Sequence, residues 1–189
     1  VNARAPRAGA AARHALLAVL LLCGATALPA LGQSTGEATP SDEGAAYVPG
    51  TGDAWLDRQL ADVNRYAERY PDAFVDELVR YGGARRGYPE ALMRQHGWAA
   101  ADVWFACFWG KAIGTSCREP VRARAQHPDE GWKAVVQTLP VAPDNLHWRA
   151  VRHALVASYD HWDRPIRLDP LLQRQLGDRA RRDAAARRD

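Results

Sequence analysis

Apolar positions recur at helical spacing along most of the chain, and nowhere do apolar and polar residues alternate convincingly as in a strand. In "DAWLDRQLADVNRYAERY" Leu56, Leu60, Val63, Ala67 and Tyr70 share one face, Asp53 caps the start and Pro71 ends the helix. "PDAFVDELVRYGG" repeats this, with Pro71 in the first turn, Phe74, Leu78 and Tyr81 on one face and Gly82 at the end. Pro89 opens a further helix that Gly97 closes. Residues 99–113, "AAADVWFACFWGKAI", are apolar almost all round, as in the buried centre of a bundle. A short helix from Pro120, one near 129–139 and a longer one near 144–158 follow. Residues 160–170 read as irregular, and Asp169 with Pro170 begins a last helix. The expected fold is all-α, a compact bundle of six to eight short helices.

Two regions fall outside this periodicity. Residues 33–52, rich in Gly, Ser, Thr and Pro, read as a flexible lead-in. Before them, Arg4, Arg7, Arg13 and His14 precede the apolar "ALLAVLLLC" and the small-residue stretch "ATALPALGQ". That is the three-part layout of a secretory signal peptide. Ala30 and Gly32 stand at minus three and minus one of a cut before Gln33, and Ala25 and Ala27 offer a second cut. The apolar core falls short of the roughly 20 residues of a membrane span. Leu22 stands before Cys23, where lipoprotein processing wants a small residue. The expected organisation is a signal segment 1–32, a linker 33–52, a helical domain 53–172 and an Arg/Ala-rich tail 173–189. The expected address is the periplasm or the cell exterior.

Cleavage changes the charge. The chain carries 25 Lys and Arg against 22 Asp and Glu. Residues 1–32 hold three of the basic residues and none of the acidic ones, so the remainder is formally neutral. No strong attraction to nucleic acid follows. Cleavage also removes Cys23 and leaves Cys107 and Cys117, which an oxidising compartment closes into a disulfide. Their spacing is not the "CxxC" of a redox or metal pair.

The stretch "GWKAVVQTLPVAPDNLHWRAVR" has the outline of a DNA-reading helix-turn-helix. Trp132, Val135, Val136 and Leu139 form one face, and Leu146, Ala150 and Val151 are expected to face the core from the second helix. Lys133, Arg149 and Arg152 are offset by Asp129, Glu130 and Asp144, so the basic footprint of a DNA reader is missing. Together with "HGWAAADVWFAC" upstream, this stretch resembles a group of small exported bacterial helical proteins of unknown function, over about residues 53–165. That group carries Gly in the turn where this chain has Leu139-Pro140-Val141-Ala142-Pro143. The resemblance implies no activity.

The richest polar cluster is "HALVASYDHWDRP", with His153, Tyr159, Asp160, His161 and Asp163 as candidates for acid–base or metal chemistry. Such clusters are mostly structural. His147 and His153 do not share a helix face, and neither "HExxH" nor a phosphate-binding Gly loop is present. Asp102 is expected in a first helical turn, and His96 at a helix C-terminus. Of the seven Trp, all but Trp162 are expected to pack the core, and Trp162 is expected in a loop. The tail 173–189 has six Arg and three Asp, a solvated helix or a weak contact with an anionic envelope surface. No cofactor is expected. The function that emerges is a non-catalytic module binding a protein or a small ligand in the exported compartment. The alternatives are a hydrolase or metal-dependent enzyme at residues 153–163, and an envelope protein held by its tail.

Overall fold

The computed structural model describes residues 47–179 and 181. Every described residue lies in one compact unit. The expected signal segment, with the expected cut between Gly32 and Gln33, and the end of the tail lie outside the described residues.

Eight α-helices make up the described chain, which contains no strand. They are α1 (Ala54–Arg69), α2 (Pro71–Arg80), α3 (Gly87–His96), α4 (Ala100–Ala112), α5 (Arg118–Gln126), α6 (Trp132–Val135), α7 (Asn145–His161) and α8 (Pro170–Gln175). A 3-10 turn, Val136–Thr138, continues α6. The bundle is built around α4, against which α1, α3, α5 and α7 all pack. The sequence explains this: Val103 through Gly110 are all buried, so α4 has no polar face to give to water.

The ends of the helices follow local chemistry. Asp53 Oδ1 accepts from the backbone N–H groups of Trp55 (2.9 Å) and Leu56 (3.0 Å), capping α1. Asp144 and His147 form a reciprocal capping box at the start of α7, with Asp144 Oδ1 2.8 Å from His147 N and the Asp144 N–H donating to His147 Nδ1 at 3.2 Å. Asp169 caps α8. Asp102 lies in the first turn of α4 and His96 in the last turn of α3.

The two Gly-Trp corners use glycine for different reasons. Gly97 ends α3 at φ 66° with open space around it, so backbone conformation selects it. Gly131 has an ordinary φ of −73°, but a Cβ there would lie 2.8 Å from the Gly50 carbonyl oxygen. Close approach selects it, because the strap 47–52 crosses α6 at this point. Pro49 and Gly50 accept from the Trp132 and Lys133 N–H groups, both at 2.9 Å. These residues of the expected flexible lead-in are therefore docked, with Thr51 buried.

Two further differences concern α7. Leu146 is 61% exposed and Ala150 is exposed, whereas both were expected in the core. The buried stripe runs through Val151, Leu155, Val156 and Tyr159. At 100° per residue, Leu146 lies about 140° from Val151 and Ala150 about 140° from Leu155. The helix also continues to His161, past the expected end near 158. Tyr159 and His161 are anchored there by side-chain partners described below.

Cys107 on α4 and Cys117 at the start of α5 form a disulfide, with Cα atoms 4.0 Å apart. Gly114, at φ 75°, reverses the chain between them. The Cys107→Ser, Cys117→Ser double variant is expected to lose about 2.5–3 kcal/mol of unfolding free energy in urea titration, the loop-closure value for a loop this short.

Candidate functional site

A mostly apolar opening lies where α1, α2, α3 and the start of α4 converge. It is a cleft of about 470 Å³. Ala67 of α1 and the Ala99-Ala100 entry to α4 are too short to fill the gap between the helices. Phe74 and Val75 from α2, Met93 from α3 and Trp98 from the α3–α4 connection supply the apolar walls. Trp98 and Met93 are only partly buried, so their surfaces are open to an entering molecule.

Two polar groups shape the cleft from behind. Asn64 Oδ1 accepts from Ala101 N at 2.7 Å and so caps α4 from across the fold. Asn64 lines the cleft, and its Nδ2 group has no hydrogen-bond partner among the described residues. Tyr47, at the start of the strap, closes one side. Its hydroxyl donates to Asp102 Oδ1 at 2.7 Å, and the same oxygen accepts from Trp132 Nε1 at 2.7 Å. Burial first, and then the Asp102 charge, push the Tyr47 hydroxyl far above the ordinary phenol range. The strap wall therefore stays protonated and hydrogen-bonded at any physiological pH.

The rim is acidic. Glu68 and Asp72 line it and make no ion pair among the described residues. Glu90 is also acidic but is paired with Arg94 at 2.7 Å.

No known protein family, curated protein or solved structure matches the chain. What the site can do must come from its own geometry.

Four of the five candidates on α7 and its following turn take separate side-chain partners. His153 Nε2 is 2.8 Å from Gln175 Oε1. Tyr159 is buried and donates to Asp62 Oδ2 at 2.6 Å. Asp160 pairs with Arg179. His161 places Nδ1 3.0 Å from Glu77 Oε2 and stacks on Tyr81 with ring centroids 3.8 Å apart. Asp163 takes a left-handed turn conformation at φ 51°. Helical rotation disperses them. None of these pairs joins two of the five, and among the described residues no group of three or more His, Cys, Asp and Glu side chains is arranged to hold a metal.

Glu77 is the polar residue that periodicity concealed. It is only 3% exposed, accepts from the Ser158 hydroxyl at 2.6 Å, and Ser158 in turn accepts from Trp104 Nε1 at 3.1 Å. His161 completes the chain. A carboxylate holding one imidazole nitrogen is the orienting half of a catalytic triad. Here the serine is fully buried and bonds the carboxylate rather than the imidazole, so Ser158 is not placed as a nucleophile for His161. Gly32-Gln33-Ser34-Thr35-Gly36 also spells G-x-S-x-G, a pattern with meaning only at a strand-to-helix turn, and it lies outside the described residues.

Asp62 gathers charge around Tyr159. Burial raises its pKa, but hydrogen bonds from Tyr159 and Arg164 outweigh burial and hold it below the usual carboxylate range. Asp169 is likewise depressed, with burial outweighed by the Leu172 N–H and by Arg152. Groups with depressed folded-state pKa values stabilise the fold fully above their unfolded values and lose that contribution as pH falls through the folded ones. The urea midpoint is expected to fall as pH is lowered below about 4. Tyr159→Phe, which removes one donor to Asp62, is expected to make that fall shallower.

Proposed function

We propose that this protein is an exported, non-catalytic binding module that holds a small apolar ligand in the cleft between α1, α2, α3 and α4. The carrying observation is the cleft itself, about 470 Å³ with walls of Phe74, Val75, Met93 and Trp98. Small-molecule sites are concave and mostly apolar with a few polar groups that set orientation, and volumes of a few hundred Å³ are typical. Asn64, which lines the cleft, is a polar residue of that kind. Separate partners for His153, Tyr159, Asp160 and His161 support a binding role over hydrolysis.

Export is supported by the layout of residues 1–32 and agrees with the Cys107–Cys117 disulfide, which an oxidising compartment maintains. Intact mass spectrometry of the exported fraction, without reductant, tests the address. A mass matching Gln33–Asp189 less two hydrogens is expected, and an uncleaved, reduced chain would overturn it.

The cleft is tested with N-phenyl-1-naphthylamine, a neutral apolar probe whose fluorescence rises in apolar surroundings. One-to-one binding is expected, with energy transfer from tryptophan. Trp98→Ala removes one wall and is expected to weaken binding about ten-fold or more, by the apolar area it takes away. Binding that is absent, or indifferent to Trp98→Ala in a folded variant, sinks the proposal.

A further inference from the structure

The geometry points to an amphipathic cation as the cleft's ligand: an apolar body carrying an ammonium or similar positive head. This rests on the cleft being a ligand site and adds what distinguishes one apolar molecule from another there.

The rim decides the sign of charge. Four ionisable carboxylate or guanidinium groups line the cleft: Glu68, Asp72, Glu90 and Arg94. Glu90 and Arg94 neutralise one another at 2.7 Å. Glu68, in the last turn of α1, and Asp72, in the first turn of α2, have no ion-pair partner among the described residues. They flank Pro71, which also lines the cleft, so the turn between α1 and α2 carries both carboxylates to one side of the mouth. The net charge at the mouth is therefore negative over an apolar interior.

Trp98 adds a second reason. Its partly buried ring lines the same opening, and the negative face of an indole attracts a cation placed over it. An anionic head would meet two unpaired carboxylates instead, and a neutral one would gain from neither feature. Two exposed carboxylates and one indole together correspond to a preference of about ten-fold, since each exposed charge pair contributes only modestly. A polypeptide partner entering the same mouth would need a basic residue beside an apolar one. The small cation is taken as the occupant because the two carboxylates and the indole line a single cleft of about 470 Å³, the size of a small-molecule site.

The test uses the full chain and competition against N-phenyl-1-naphthylamine, with decyltrimethylammonium, decanol and decyl sulfate as competitors below their micelle concentrations. Circular dichroism follows folding throughout. Decyltrimethylammonium is expected to displace the probe at roughly ten-fold lower concentration than decanol, with decyl sulfate the weakest. The preference is expected to shrink as salt rises. The Glu68→Gln, Asp72→Asn double variant, at two exposed positions, is expected to lose most of the preference for the cation, read as the ratio of decyltrimethylammonium to decanol potency within that variant. Equal potency of decyltrimethylammonium and decanol overturns the charge inference and leaves the cleft standing. Retention of the full preference in the double variant does the same. Failure of the probe to bind at all overturns both. Dimerisation of the chain that decanol reverses would seat a second copy on the cleft and overturn the proposal.

Discussion

Arg152→Ala is expected to lower the unfolding free energy by about 3–5 kcal/mol, the usual cost of breaking a buried ion pair from one side. Arg152 is 7% exposed and pairs with both Asp53 and Asp169. Those carboxylates are not idle when the arginine goes. Each is the N-cap of a helix, Asp53 for α1 and Asp169 for α8. Each would keep its charge in a half-buried place with only backbone N–H groups to answer it. The guanidinium also lies over the Trp55 ring, 4.8 Å from its centroid, so packing is lost as well as charge. Arg149→Ala, one turn earlier and exposed, is the control and is expected to stay within about 0.5 kcal/mol. Urea denaturation of both variants checks this. Similar, small losses would mean that α1 and α8 do not depend on a shared clasp.

Trp104→Ala is the second large effect, at about 3–5 kcal/mol. Trp104 is fully buried on α4 and stacks on Phe108 with centroids 4.4 Å apart. Truncation leaves a cavity at the centre of the bundle, and it also removes the donor to Ser158. Trp104→Phe separates the two contributions. It keeps an aromatic ring in place and loses the indole N–H, so roughly 1–3 kcal/mol is expected from the stranded polar chain and the smaller volume. A loss in Trp104→Phe close to that in Trp104→Ala would show that the hydrogen bond to Ser158, rather than ring volume, anchors α4 to α7. Near-neutral Trp104→Phe would show the reverse.

The site was far less legible than the fold. Polar residues close together in sequence drew attention to His153, Tyr159, Asp160, His161 and Asp163, but a helix turns such neighbours to different sides. Tyr159 reached Asp62 on α1 and His161 reached Glu77 on α2. The cleft carries no local signature at all. Asn64, Met93 and Trp98 belong to different elements, and in the sequence each is an ordinary residue of a helix or a corner. The one available signal was compositional: Ala67, Ala99 and Ala100 are small residues at helix junctions, where packing leaves room only if nothing large is supplied from elsewhere.

Local chemistry in the sequence was enough to set the helices. Asp53, Asp169 and Pro71 start them, Gly97 ends one, and the unbroken apolar run of α4 fixes which helix is central, because these effects act within a turn or two of the chain. The pairing of Cys107 with Cys117 was legible for the same reason, since one tight reversal joins them. Only the tertiary structure decided the rest. It settled which way α7 rotates, so that Leu146 faces water and Arg152 reaches two helix caps. It docked the strap on Gly131 and buried Glu77 beneath His161. It left a space between four helices. Each of these depends on side chains far apart in sequence competing for the same volume, and periodicity along one helix carries no information about that competition.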